Sequence, residues 1–271
     1  MPHYICQTCG TQFSESETSP DHCTICEEER QYVGIHGTTW TTLEKLAKTH
    51  RNSYRKKEHS LMAIGTEPKF GIGQRALLII RPEGNILWDC ISLIDEATID
   101  IIESMGGLSA IAISHPHYYT TMVEWSKAFG DIPVYLHEDD RQWVMRSDEN
   151  IHFWSGETKE LGDDITLIHC GGHFDGGTVL HWADGADRKG ALLTGDIIQV
   201  VLDRKHVTFM YSYPNQIPLP EHKIQRIVDA VEPFKYDRIY GAWWDRNILT
   251  NATEAVHKSA ERYIKAIKAG L

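Results

Sequence analysis

Residues 110–120 read AIAISHPHYYT, an apolar, strand-like run that ends in His115 and His117, two positions apart. Further along, CGGHFDGGT (170–178) supplies His173, and LLTGDII (192–198) supplies Asp196 just beyond a second apolar run. Rigid strands fix side chains while the loops at their ends leave them reachable, so histidines and a carboxylate at strand ends suit a metal site on a β-scaffold. Two imidazoles at i and i+2 after a strand can converge on one ion. The glycines flanking His173 (Gly171, Gly172, Gly176, Gly177) allow tight turning. Any one of the 15 histidines is an ordinary surface residue by default. The joint pattern carries the weight.

Around this stretch, short apolar runs alternate with turns. Ala76–Arg81 and Ile86–Cys90 flank the turn sequence PEGN and predict a hairpin. A helix is expected over about 94–105, a strand over Ser109–Ser114, a helix over about 118–129 and a strand over Ile132–His137. Strands Ile165–Cys170, Thr178–Trp182 and Ala191–Thr194 follow, then helices over about 220–233 and 252–268 with the strand Arg238–Gly241 between them. This is a mixed α/β (α+β) order, with sheets covered by outer helices.

The first 26 residues hold four of the six cysteines, as Cys6-x2-Cys9 and Cys23-x2-Cys26 with thirteen residues between the pairs. Paired CxxC knuckles at this spacing point to four thiolates around a structural zinc, and residues 1–35 read as a zinc ribbon. Too small for a core of its own, such a segment folds on its metal. Iron in the same thiolate set is the alternative, one that would let the ribbon pass electrons. Residues 36–60 read as a linking helix, with a Thr41/Glu44 capping box, an apolar face of Trp40, Leu43, Leu46 and Ala47, and basic residues at its end. Residues 61–271 then form the main domain.

Composition excludes several classes. Apolar residues make up 41% and charged residues 24%, as in ordinary globular chains. The longest apolar run, Ala76–Ile80, is far short of the roughly 20 residues a membrane helix needs. The start, MPHYICQTCG, has neither basic nor apolar signal-peptide regions, so the cytoplasm is expected. A net charge of −11 repels nucleic acid and anionic membranes, which leaves a small molecule as the expected substrate and a second copy of the chain as an open partner.

SHPHYYT, GGHFDGGT, TGD and the late IYGAWW resemble, in this order, the metal-binding motifs of the metallo-β-lactamase superfamily, over roughly residues 61–271. The resemblance implies an αββα sandwich with the site at one edge of its two sheets, and metal-dependent hydrolysis of thioesters, lactones, phosphodiesters or β-lactams as the commonest activity. It assigns His115, His117, His173 and Asp196 as metal ligands. The superfamily pattern His-x-His-x-Asp-His is matched only in its first two positions; Tyr119 and Thr120 occupy the last two. Gly241-Ala242-Trp243-Trp244 stands where a final histidine completes a second site. One zinc or iron ion is therefore expected, with Tyr119 and Asp196 as catalytic groups and Tyr118, Trp243 and Trp244 against the substrate. By the same analogy Asp89 steadies a ligand histidine. Two further readings stand beside the hydrolase: a mononuclear non-haem iron oxygenase or oxidoreductase acting on a sulfur compound, and a silent fold that binds a ligand or partner.

Overall fold

The computed structural model describes residues 1–269; Gly270 and Leu271, the end of the expected 61–271 domain, lie outside the described residues. The chain separates into two compact units: Met1–Leu136 with Asp140–Phe153, and His137–Asp139 with Trp154–Leu271.

The first unit is organised on a seven-stranded sheet in simple sequential order: β1 (Arg51–Glu58), β2 (Leu61–Glu67), β3 (Arg75–Ile79), β4 (Ile86–Trp88), β5 (Ala110–Ala112), β6 (Val134–His137) and β7 (Ile151–Trp154). The expected PEGN hairpin is there, with Ile79 opposite Ile86. β4, β5 and β6 pair in parallel, joined by helical crossovers. Every residue of β3, β4 and β5 is buried, the continuous apolar reading of a strand covered on both faces.

The expected linking helix over 36–60 is corrected. Its helical part is only α1 (Leu43–Thr49), and residues 51–58 form β1, paired along its length with β2. Arg55, Lys56 and Lys57 favour helix by propensity, but β2 offers an apolar strand with an open edge, and that pairing prevails. As the outermost strand, β1 places its basic side chains where they discourage pairing with another chain. The cap moves too. Trp40–Thr41 is drawn into an antiparallel pair with Ile5–Cys6, so Thr42 becomes the N-cap and accepts from the Lys45 amide. Strand β7 and the short strand that follows it went unread in the sequence.

α2 (Glu96–Ser104) matches the expected helix and is capped by Asp95, which accepts from the Thr98 amide. The helix expected over 118–129 shortens. A 3-10 turn, Pro116–Tyr118, comes first, and α3 (Met122–Ala128) starts only after Thr120 has taken φ +39°. Thr121 and the Trp125 indole then anchor α3 by donating to the Ile91 carbonyl.

The second unit carries a six-stranded sheet: β8 (Thr158–Glu160), β9 (Ile165–His169), β10 (Thr178–Trp182), β11 (Ala191–Gly195), β12 (Arg238–Gly241) and β13 (Asn247–Ile248). Only β11 and β12 are parallel. α4 (Glu221–Val231) buries Ile224, Ile227, Val228 and Val231 at helical spacing. α5 (Ala252–Ala269) buries Ala252, Val256 and Ala260 against the same core, which also takes Val179, Leu192 and Ile239. Among the described residues no helix is long and apolar enough to cross a membrane.

One glycine governs the approach of β11 to β12. Gly190 has φ +83°, and a Cβ there would lie 1.9 Å from the Lys235 carbonyl oxygen, which is backbone and cannot swing aside. Gly190→Ala is expected to cost about 3 kcal/mol or more, combining strain with overpacking. Its urea midpoint against wild type measures this; an unchanged midpoint would show that the turn relaxes freely.

Candidate metal centres

The four N-terminal cysteines are buried together, with the Sγ atoms of Cys6 and Cys26 3.7 Å apart and those of Cys9 and Cys23 also 3.7 Å apart. A disulfide needs about 2.05 Å. A tetrahedron of sulfurs about 2.3 Å from a central zinc has edges of about 3.8 Å, so the cluster has the dimensions of a metal cage. Each CxxC forms a knuckle: the Gly10 amide donates to the Cys6 carbonyl, and Cys23 caps a single helical turn, receiving the Cys26 and Glu27 amides. Among the four thiols, hydrogen bonds from Cys23 and Cys26 lower Cys6 while burial raises Cys9.

Packing around the cage reaches beyond residue 35. Trp40, Ile72, Trp143 and Met145 close over the cysteines. The Gln12 amide donates to the Thr120 carbonyl (3.0 Å), and the Ser92 hydroxyl donates to the Gly10 carbonyl (2.9 Å). The Gln12 side chain joins Glu124 and Arg146 in a largely buried network. The ribbon therefore leans directly on the loop that carries His115 and His117.

That loop leaves the carboxyl end of β5. Asp89 leaves the adjacent end of the parallel strand β4, with φ +59° and its amide bound to the Ala112 carbonyl. Loops beyond the carboxyl ends of parallel strands are the usual seat of ligand sites. His115 and His117 are buried, their ring centroids 5.2 Å apart, and Tyr118 lies edge-on to His115 at 4.4 Å. The role expected for Asp89 takes an indirect form. Its Oδ1 accepts from both the amide and the hydroxyl of Ser114, and the Ser114 Oγ lies 2.9 Å from His115 Nδ1. A serine hydroxyl has one proton; given to Asp89, it leaves the oxygen to accept from Nδ1–H. His115 thus keeps its lone pair on Nε2, the tautomer a metal ligand needs. Ser114 was not singled out in the sequence, although its place directly before His115 was the available signal.

Burial raises the Asp89 carboxyl from 3.8 to about 7. A group whose folded pKa lies above its unfolded value loses stability contribution as pH rises between the two. Asp89→Asn is therefore expected to gain on wild type from pH 4 to pH 7, by up to about 4 kcal/mol in urea unfolding. Having lost the charged end of the relay, the variant should also bind metal at His115 about 10–100-fold more weakly. Parallel unfolding curves across that pH range would remove the first role, and unchanged metal affinity the second.

In the second unit, His173 is buried and its Nδ1 lies 2.7 Å from the Tyr211 carbonyl and 3.2 Å from that of Met210. The proton is again on Nδ1 and the lone pair on Nε2. Asp196 follows β11, and the Tyr213 hydroxyl donates to its carbonyl (2.7 Å) while the Tyr213 ring lies 5.6 Å from that of His173. Ala242, at the end of the parallel strand β12, donates its amide to Gly195, which brings the half-buried Trp243 and Trp244 to the same end of the sheet as Asp196. Tyr213 was among the aromatic loop residues expected to face the site; the carbonyls of residues 210 and 211 lie far from the motifs in sequence, and no local signal marks them.

The expected tyrosines, Tyr118 and Tyr119, are both fully buried in the first unit, and burial holds Tyr119 well above the ordinary phenol range. Burial likewise raises Cys90 and Cys170 to about 12, which leaves them inert thiols.

No family model matches the chain. It is 51% identical over 273 residues to the uncharacterized protein YmaE of Bacillus subtilis (strain 168), a match that spans 100% of this chain and 99% of that one. Among solved structures it is similar to the metallo-β-lactamase FIM-1 of Pseudomonas aeruginosa in its mono-zinc form, with TM-score 0.57 and 12% identity over 78% of this chain and 95% of that one. It is similar also to TTHA1623 in a di-iron-bound form, with TM-score 0.50 and 18% identity over 71% and 96%. At these identities the likeness concerns the fold, and the metallo-β-lactamase fold expected from the motifs is the fold of this chain.

Proposed function

The chain belongs to one family with YmaE of Bacillus subtilis, and we propose that it is a metal-dependent hydrolase with a single metal ion held by His115, His117, His173 and Asp196. The observation that carries this reading is the tautomer control. His115 and His173, far apart in sequence, each commit Nδ1 to a protein acceptor and turn Nε2 into the ligand atom. Three neutral imidazoles and a carboxylate suit zinc, and the same set accepts iron. Tyr119, Thr120 and Trp243, standing where ligands of a second ion belong in the superfamily, support one ion over two.

His115, His117, His173 and Asp196 would hold a zinc ion that would supply hydroxide by lowering the pKa of a bound water to about 7 and would polarise a substrate carbonyl or ester oxygen. The remaining chemistry belongs to the chain. Tyr119 keeps its phenolic proton at neutral pH and donates it, or a hydrogen bond, to the oxygen that gains charge as the ester, thioester or lactone bond breaks. Asp196 completes the ligand set and accepts a proton at its carboxylate. Tyr118, Trp243 and Trp244 limit water and favour a small, partly apolar substrate. The cysteine cage is read as a structural zinc site, which fits a reducing, cytoplasmic setting.

Metal analysis of anaerobically purified protein tests this. His115→Ala and His173→Ala should each lose one equivalent of metal while the cysteine cage keeps its own. Unchanged metal content in both variants would sink the site; iron in place of zinc at the histidines would favour the oxygenase reading.

A further inference from the structure

We propose that His137, Asp139 and His169 form an additional metal site, separate from the histidines and carboxylate assigned above, that takes a borderline divalent transition-metal ion such as Zn²⁺. All three belong to the second unit. One atom from each lies within 4.8 Å of the others.

The spacing argues for a ligand set over a hydrogen-bonded cluster. Asp139 Oδ2 is 3.6 Å from His137 Nδ1 and 3.8 Å from His169 Nε2. Both distances are too long for a hydrogen bond. Donors about 2.0–2.2 Å from one tetrahedral ion are separated by about 3.3–3.6 Å, so the carboxylate stands within a few tenths of an ångström of that separation from each imidazole nitrogen, and the stacked rings would have to splay to share one ion.

The protonation of His137 fits as it stands, and that of His169 must change on binding. His137 Nε2 faces the Gly156 carbonyl at 3.4 Å, and the Asp139 amide donates to Nδ1 at 3.3 Å, which together place the lone pair on the nitrogen facing Asp139. Trp154 packs edge-on against this ring. His169 stacks on His137 with centroids 3.8 Å apart and planes at 21°. Stacked this closely the two rings cannot both carry charge, and burial together with the His169 charge holds His137 below its ordinary value. His137 is thereby favoured in the neutral form that can ligate a metal.

His169 Nε2 lies 2.7 Å from the Asp175 carbonyl. Metal binding there requires the imidazole proton to move from Nε2 to Nδ1, with no net proton release. Asp139 is half exposed, which gives an ion a way in from solvent. A bound ion would tie residues 137–139 to the end of β9.

The test titrates Zn²⁺ alone into purified full-length protein, beyond the metal retained through purification, by calorimetry and by the imidazole proton resonances. Wild type should bind one Zn²⁺ more than Asp139→Ala and His169→Gln, or bind it at least about tenfold more tightly, since loss of a direct ligand costs no less than loss of an outer-shell partner. The retained metal should be the same in all three proteins. If His169→Gln fails to fold, the exposed Asp139→Ala decides alone. Wild-type stoichiometry and affinity in the variants, or no uptake by wild type, overturns the site.

Discussion

Cys9→Ser unfolds residues 1–41 and loosens the loop of His115 and His117 with them. The segment has the cysteines and a few flanking residues as its core, and the structural zinc proposed for the cage would supply on the order of 10–16 kcal/mol of its folding free energy. Removing one of four thiolates leaves three buried ligands around an incomplete cage, and most of that free energy goes. The effect spreads because the cysteine segment is bonded to the loop of His115 and His117: Gln12 amide to Thr120 carbonyl, Ser92 hydroxyl to Gly10 carbonyl, Gln12 side chain to Glu124 and Arg146. Hydrogen exchange reads both levels. Amides of residues 5–41 should lose protection outright, and those of residues 115–122 should exchange faster while the second unit is unchanged. Protection equal to wild type at residues 115–122 would make the ribbon a passive appendage.

Tyr119→Phe is expected to lower kcat on the best-hydrolysed ester, thioester or lactone by about 10²–10⁴-fold, the range for a lost proton donor, with the metal content intact. Loss of metal together with rate would mark Tyr119 as a packing residue, as would an unchanged rate. His115→Ala serves as the reference, since it should abolish both metal and rate. The two variants together separate the holder of the ion from the donor of the proton.

Several features were legible in the residues themselves. The two CxxC knuckles announced a thiolate cage because cysteine spacing sets the bite of each knuckle, and the cage has the edges a tetrahedral metal requires. The order of SHPHYYT, GGHFDGGT and TGD marked the metallo-β-lactamase fold because strand-end ligands recur at turns whose chemistry is local. Most strands and helices were legible for the same reason, through hydrophobic period and caps.

Other features depended on contacts distant in sequence. Residues 51–58 have helical propensity and become a strand because β2 offers them an edge. Thr41 fits a cap and loses the role because it pairs with Ile5. Asp89 works through Ser114 because two parallel strands end side by side, and His173 takes its tautomer from carbonyls 37 and 38 residues away. His169, unremarkable at the end of its strand, meets His137 only in the folded second unit. Residue types and local turns determined which chemistry this chain can carry. Strand pairing and burial decided which nitrogen, which carboxylate and which hydroxyl perform it, because a proton's position depends on partners that only folding brings within hydrogen-bond reach.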